Sequence, residues 1–259
     1  MRGTLKGGGA RSRLLPLPFV FCVLLAAITA IASGCGTEAT HAQIEGTLGS
    51  HAQARQVPHR GASIVATALA ATVPIFHSPG ARRPFRTLAS PTTVGEPLVF
   101  LVRGRRPGWE SVYLPVRPDG STGWIRDQDV TLAWNPFNLR VRLGPRVLVV
   151  RKSGSVIARY RVGVGRTVLP TPTGRYYIVE LLKQPDPKGL YGPYAFGTSA
   201  FSHVLYSFGG GPGQIGIHGT NDPSSVGRSV SHGCIRLSNA AITRLAQELP
   251  LGTPVTITR

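Results

Sequence analysis

The sequence predicts a mainly β protein with two β-rich modules and one helix near the C-terminus. Short runs rich in β-branched and aromatic residues, separated by Gly, Pro, Ser and Asp, extend over residues 63–134, and a second β-rich stretch covers residues 138–258. One segment after residue 238 has its apolar residues at helical spacing. With 42% hydrophobic and only 15% charged residues, the 259-residue chain can form packed cores, which excludes general disorder.

The first 35 residues predict an export segment. Basic residues precede an apolar run of 18 residues (14–31), and small residues then lead to Cys35. This order is typical of a signal peptide, and small residues directly before a cysteine resemble a bacterial lipobox, in which Cys35 is lipidated. Ordinary cleavage and an uncleaved membrane anchor stay open as alternatives, since 18 apolar residues reach the lower limit for spanning a bilayer.

Export sets the expected location and partners. Because the first 35 residues predict export, we expect the protein in the cell envelope, at the outer face of the plasma membrane or in the cell wall. Residues 36–62, which follow the export segment, lack clear periodicity and predict a flexible tether. The 29 Lys and Arg residues against 11 Asp and Glu residues give a net charge of +18, which favours a polyanionic partner. For an exported protein that partner is an anionic cell wall or membrane surface and not nucleic acid; a basic composition without a binding role is the alternative.

Residues 63–134 predict a small β module. Four short strand-like runs are separated by turn signals, of which Pro118-Asp119-Gly120-Ser121 is the clearest. The ending Gly123-Trp124-Ile125, followed by Asp129-Val130, resembles bacterial SH3-like modules and predicts a small β-barrel. A plain structural spacer is the alternative to a ligand-binding module.

Residues 138–258 predict a second β-rich domain, which begins after a boundary at Trp134-Asn135-Pro136-Phe137. Lys152-Ser153-Gly154-Ser155 is typical of a hairpin connection. The predicted helix is capped by Ser238 or Asn239 and ends before Pro250 and Gly252. Its apolar face consists of Ile242, Leu245, Ala246 and Leu249.

Cys234 is the candidate nucleophile, because it is the only cysteine outside the hydrophobic N-terminus. An exported protein that retains one thiol, with no partner for an internal disulfide, is expected to use it. His218 lies sixteen residues upstream, at the end of an apolar strand. We expect its imidazole to ionise the thiol, because a thiol must lose its proton before it attacks.

The neighbouring residues suit the same chemistry. The Gly219 carbonyl is expected to accept from the second ring nitrogen of His218 and so select the tautomer. Gly233 permits a sharp turn, and its N–H and that of Cys234 are expected to face an oxyanion. His232 is assigned either to substrate contact or to structure, and Arg236 either to a substrate carboxylate or to the surface.

Two other kinds of site have weaker support. The acids after residue 135 lie singly in different segments, which disfavours a catalytic pair of carboxylates (they are Glu180, Asp186, Asp222 and Glu248). Zinc ligands are available, but one residue between 232 and 234 does not match the usual ligand spacing (the candidates are His203, His218, His232 and Cys234). We therefore expect neither a metal nor a cofactor.

The segments His218-Gly219-Thr220-Asn221 and Ser231-His232-Gly233-Cys234-Ile235-Arg236-Leu237 together are similar to the active-site signature of the L,D-transpeptidase (YkuD-type) catalytic domain. Pro170–Tyr176 and Gly192–Gly197 also resemble family segments. The resemblance covers residues 138–258. It departs from the common pattern at Arg236, where many members have Asn, and at Gly219, where some have Ser.

The resemblance implies a β-sandwich domain and an exported bacterial enzyme that cross-links peptidoglycan stem peptides. By that match Cys234 is the nucleophile and His218 the proton acceptor and donor, while Ser231, His232 and Gly233 line the site. It implies an acyltransferase that forms a thioester, releases the terminal D-alanine and makes 3→3 cross-links, and that carbapenem-type inhibitors acylate. The alternatives are an L,D-carboxypeptidase and a catalytically inactive wall-binding protein.

Overall fold

The structure, a computed structural model, describes residues 61–259. The predicted targeting segment with Cys35 and nearly all of the predicted tether lie outside the described residues. Residues 61–259 contain seventeen strands and one α-helix, which confirms the mainly β class. Within this range no helix is both long enough and apolar enough to cross a bilayer.

Seven strands form the first module: β1 (Ser63–Ala68), β2 (Thr72–Ile75), β3 (Arg86–Ala89), β4 (Val99–Arg106), β5 (Trp109–Tyr113), β6 (Thr122–Arg126) and β7 (Val130–Asn135). Five of them form an antiparallel sheet in the order β6-β5-β4-β1-β7. The separate hairpin β2-β3 is tied to this sheet where Phe76 bridges to Trp124. Apolar side chains from both pieces share one core. The likeness to SH3-like barrels stays a prediction.

Ten strands form the second module: β8 (Phe137–Arg142), β9 (Val147–Lys152), β10 (Ser155–Arg161), β11 (Val164–Gly165), β12 (Gly174–Lys183), β13 (Tyr194–Phe201), β14 (Gln214–His218), β15 (Ser229–Ser231), β16 (Ile235–Arg236) and β17 (Pro254–Thr258). Eight of these form a mixed sheet in the order β10-β9-β8-β17-β12-β13-β14-β16, and β11 and β15 form a short parallel pair.

Strand β12 joins the two halves of the large sheet. Its residues 174–177 pair with β17, and its residues 178–183 pair with β13. Side chains from both halves enter one core, as with Leu139 and Val150 from one half and Phe196 and Ile217 from the other. The sheet therefore packs against itself as a sandwich.

The predicted helix is confirmed as α1 (Asn239–Glu248), the single α-helix of residues 61–259. Of the two predicted caps, Ser238 is the one used: its hydroxyl accepts from the Ala241 N–H at 3.3 Å. Ile242 and Leu245 are buried in the core of the sandwich. The helix lies directly after the Cys234 segment and holds it against that core.

The two modules pack against each other through β12. Tyr177 and Val179 on this strand form an apolar cluster with Val65, Val99 and Leu101 of the first module. The fully buried Tyr177 also donates its hydroxyl to a backbone carbonyl of β5 at 3.2 Å. Only one residue separates β7 from β8, so the modules are joined without a linker.

Candidate active site

Cys234 lies in a tight turn between β15 and β16. Gly233 has a φ of +121°, a conformation that other residues rarely adopt. The Ser231 hydroxyl closes the turn, donating to the Cys234 carbonyl at 2.6 Å and accepting the Gly233 N–H at 3.1 Å. From below, the Thr171 hydroxyl donates to the Gly233 carbonyl at 2.7 Å. These bonds hold the cysteine in one orientation with its side chain half-buried.

This geometry corrects one expectation about the oxyanion site. The Gly233 N–H already donates to Ser231, and the Ser231 hydroxyl uses both its donor and an acceptor position within the turn. Neither group therefore has a donor left for an oxyanion. The Cys234 N–H has no hydrogen-bond partner within residues 61–259 and is the remaining backbone donor of the turn.

His218 is the last residue of β14 and is paired in parallel with Arg236 of β16. Its Nδ1 lies 2.6 Å from the Gly219 carbonyl oxygen. Because a carbonyl only accepts, the neutral ring carries its proton on Nδ1 and leaves Nε2 free as an acceptor. The hydrogen bond expected from the sequence is thus present. The ring of Tyr191 packs edge-on against the imidazole at 4.9 Å between centroids.

The thiol and the imidazole face the same point above β14. A Cβ placed on Gly216 lies 3.9 Å from Cys234 Sγ and 3.7 Å from His218 Cδ2. The Gly216 N–H donates to Sγ at 3.3 Å, which favours the thiolate. No hydrogen bond joins Sγ to the imidazole among the described contacts. The two groups are neighbours but not yet an ion pair.

Burial shifts both groups toward their neutral forms. It raises the pKa of the Cys234 thiol, although the Gly216 N–H and the Arg236 charge act in the opposite direction. Burial lowers the pKa of His218 to about 4, against the effect of its bond to Gly219, and the Arg236 charge lowers it further. Burial therefore favours the neutral thiol over the thiolate at rest. A neutral imidazole is nevertheless the form that accepts a proton.

Two cavities meet at these side chains. The larger has a volume of about 250 Å³ and extends along β12, β13 and β14. The smaller has a volume of about 100 Å³ and lies beside the turn that contains Ser231 and His232. Four residues line both cavities: Tyr191, Phe208, His218 and Cys234. Both cavities therefore reach the Cys234 and His218 side chains.

Arg236 and His232 both line the smaller cavity. The Nε atom of Arg236 is buried and has no hydrogen-bond partner within residues 61–259. An unpaired guanidinium N–H beside a cavity suits a carboxylate ligand. The His232 ring stacks on Phe208, with 5.3 Å between centroids, so it also supports the cavity wall.

One of the four candidate zinc ligands, His203, lies apart from the other three. His203 lies 3.2 Å from a carboxylate oxygen of Asp119 in the first module, at a separate cavity of about 660 Å³. Within residues 61–259 no three His, Cys, Asp or Glu side chains converge on a common point. The structure thus places His203 outside the site that contains His218, His232 and Cys234.

Sequence reasoning missed several residues of the larger cavity. Glu180 and Gln214 line it together, and burial raises the pKa of Glu180. Tyr191 and Phe208 come from two separate loops. Only the scarcity of acids after residue 135 singled out Glu180 in the sequence; no pattern marked the others.

Comparisons with known proteins identify the family of the second module. The model of the L,D-transpeptidase catalytic domain (YkuD) matches residues 138–257. The protein YkuD of Bacillus subtilis (strain 168) is 36% identical over 124 residues, which are 48% of this chain and 67% of that protein. The chain belongs to the YkuD family of L,D-transpeptidase catalytic domains. A second relative in B. subtilis, YqjB, is 35% identical over 114 residues, covering 43% of this chain and 65% of that one.

The solved structures that match this chain are less similar to it in sequence. Bd1075 of Bdellovibrio bacteriovorus is 30% identical, with a TM-score of 0.39 and coverage of 48% of both chains. L,D-transpeptidase 3 of Mycobacterium tuberculosis, solved with a faropenem-derived adduct, is 14% identical, with a TM-score of 0.40 and coverage of 56% of this chain and 76% of that one. This chain thus spans about half the length of the Bdellovibrio protein.

Proposed function

We propose that this protein is an exported peptidoglycan L,D-transpeptidase that forms 3→3 cross-links through a thioester on Cys234. The observation that carries the proposal is the meeting of two cavities at one half-buried thiol beside a neutral, oriented imidazole. An acyl transfer between two peptides needs one nucleophile that is accessible to both, and membership of the family supports that reaction.

In the first step His218 Nε2 takes the thiol proton as Cys234 Sγ bonds to the carbonyl carbon of the third stem residue. The Cys234 N–H stabilises the resulting oxyanion. The carbon–nitrogen bond then breaks, and the proton on His218 passes to the nitrogen of the departing D-alanine. We assign the carboxylate of that residue to Arg236, whose side chain lines the smaller cavity.

In the second step the side-chain amine of another stem attacks the thioester. The amine loses its proton to His218, the carbon–sulfur bond breaks, and the sulfur regains a proton. We assign the acceptor to the larger cavity, because the Glu180 carboxyl group there suits an amine. Attack by water in place of the amine would make the protein an L,D-carboxypeptidase.

Incubation of the purified protein with tetrapeptide stems tests this proposal. We expect mass spectrometry to detect free D-alanine together with 3→3 linked dimers. Release of D-alanine with tripeptide as the only other product would favour the carboxypeptidase. If neither D-alanine release nor a carbapenem adduct on Cys234 occurs, the inactive wall-binding alternative replaces the proposal. We expect a carbapenem to acylate Cys234 because its strained β-lactam carbonyl can take the position of the carbonyl of the third stem residue.

We also propose that the protein acts in the cell envelope and is attracted to an anionic wall surface. The outer face of β8, β9 and β10 supports this. Four arginines line a concavity of about 510 Å³ there, and no acidic residue does (the arginines are Arg140, Arg142, Arg151 and Arg159). Arg140 and Arg159 both lie opposite Val149 on neighbouring strands, so the charges are presented side by side.

Exchanging Arg140 and Arg159 for glutamate is expected to weaken binding to isolated anionic wall several-fold. Binding of the unaltered protein to the wall should decrease as the salt concentration rises to about 0.5 M. The reason is that dissolved ions screen the attraction between exposed charges, with a screening length of about 10 Å at 0.1 M salt that shortens further as salt is added. Co-sedimentation measures both effects. The matched control exchanges Arg83 and Arg106, two exposed arginines of the first module, for glutamate. Equal losses in both double variants, or retention that ignores salt, would contradict a binding role for this face.

A further inference from the structure

The loop between β13 and β14, residues 202–213, forms one wall of the larger cavity. It is called the cavity loop below. At its tip Phe208 and Gly211 exchange two backbone hydrogen bonds of 3.0 Å around Gly209 and Gly210, whose φ values are +58° and +82°. Positive φ at both central residues is typical of a type I′ turn. The tip therefore has a defined shape, and Phe208, Gly209, Gly211 and Pro212 line the cavity beside Cys234.

The base of the cavity loop is held by a side chain of the other module. Arg117, in the connection between β5 and β6, donates to three backbone carbonyls of the loop: Ser202 at 2.8 Å, Leu205 at 3.2 Å and Pro212 at 2.9 Å. One guanidinium thus ties together both ends and the middle of the segment. Its rigid fork of donors suits this task better than a lysine would.

Further contacts of the same connection support the loop. The Arg117 guanidinium lies over the ring of Phe201, 5.0 Å from its centroid, and over that of Tyr206 at 4.7 Å. Asp119 accepts the Phe201 N–H at 2.9 Å, and its second oxygen lies 3.2 Å from His203 Nε2. Arg117 and the predicted turn that follows it, Pro118 to Ser121, therefore contact both the end of β13 and the cavity loop.

We propose that Arg117 and Asp119 are positioning residues, through which the first module sets the shape of the cavity that receives the peptide substrate. The cavity loop itself contributes the wall at Phe208–Pro212, but its base bonds to the first module. The module is then more than a spacer, since it determines which peptides fit beside Cys234. This inference rests on the proposed function for the identity of the ligand.

The variant Arg117→Gln tests whether Arg117 positions the cavity loop. Without the guanidinium the three carbonyls lose their common donor, and the loop tip is free to shift. Because small displacements of a binding wall have large effects on reaction, we expect KM for the tetrapeptide to rise by about 10- to 100-fold with a much smaller change in kcat. Carbapenem acylation should slow in parallel. Alkylation of Cys234 by iodoacetamide, which does not need the wall, should be unchanged or faster.

The matched control is Arg126→Gln. Arg126 belongs to the same module, is also half-buried, and also lies over two aromatic rings, Phe76 at 4.8 Å and Trp109 at 5.7 Å, but it does not contact the cavity loop. If Arg126→Gln raises KM as much as Arg117→Gln, the effect is general damage to the module and the proposal is wrong. Equal slowing of iodoacetamide and carbapenem would reject it too. Arg117→Lys, which keeps the charge but not the fork, provides the test if the glutamine variant does not fold.

Hydrogen–deuterium exchange separates this inference from the proposed activity. We expect faster exchange in the cavity loop of Arg117→Gln than in Arg126→Gln or in the unaltered protein, while α1 remains equally protected in all three. That result supports the positioning role even if no stem peptide is turned over. An unaltered exchange rate in the loop overturns the inference even if the enzyme is active.

Discussion

Replacing Cys234 with alanine is expected to abolish D-alanine release from tetrapeptide stems, with kcat/KM falling by about four orders of magnitude or more, as for removal of other covalent nucleophiles. The only free thiol within residues 61–259 lies where the two cavities meet, so no neighbouring group can replace it. Release of D-alanine, measured by a coupled assay and by mass spectrometry, checks this result.

The alanine variant should remain folded, because the side chain is half-buried and small, and its truncation costs on the order of 1 kcal/mol. Thermal unfolding by circular dichroism provides that control. Cys234→Ser is the matched variant: it preserves the volume and the turn but replaces the thiol with a much less acidic hydroxyl. We expect it to be inactive as well. Undiminished turnover in either variant would show that Cys234 is not the nucleophile.

Replacing His218 with alanine is expected to slow acylation of Cys234 by about 10²- to 10⁴-fold at neutral pH, the usual contribution of a general base. The structure gives the reason: burial raises the pKa of the thiol, so little thiolate exists at rest and a base must take the proton during attack. Carbapenem acylation followed by intact mass spectrometry measures the rate.

The pH dependence follows from the same two groups. Because the pKa of His218 is lowered to about 4, the imidazole is neutral and able to accept a proton over the whole range above pH 5. The unaltered protein should therefore show no decrease in rate on passing below pH 6.5, where an ordinary histidine becomes protonated. The acylation rates of His218→Ala and of the unaltered protein should become more similar at high pH, because hydroxide then ionises the thiol without help from the imidazole.

The control for this variant is His232→Ala, since His232 also lines the smaller cavity but stacks on Phe208. A much smaller effect on acylation is expected there. Equal acylation rates for His218→Ala and the unaltered protein would show that another group is the base. A rate decrease centred near pH 6.5 would show that the imidazole titrates normally.

Much of the catalytic half was predictable because its signals are local. The helix after residue 238 has its cap, its apolar face and its terminating Pro and Gly within fifteen residues, and the structure agrees. The tautomer of His218 depends on the next residue, so the Gly219 bond was also foreseeable.

Most features that the sequence did not predict depend on contacts between residues that are distant in the chain. Arg117 meets carbonyls 85 to 95 positions later in the chain, and nothing in the local sequence of either segment indicates this pairing. The neutral states of Cys234 and His218 arise from burial, which depends on the whole sandwich. One local hydrogen bond was also missed: the Gly233 N–H, which was expected to face an oxyanion, donates to Ser231 two residues earlier in the same turn.

Strand β12 has a consequence for any attempt to separate the two halves of this protein. Tyr177 and Val179 on that strand face Val65, Val99 and Leu101 of the other module, although β12 is also the strand that connects the sandwich. Separating the two fragments after cleavage at Pro136 would expose Tyr177 and Val179 on one fragment and Val65, Val99 and Leu101 on the other. The fragment that contains Cys234 would then expose an apolar patch on β12, in the middle of its large sheet, and such a patch promotes aggregation.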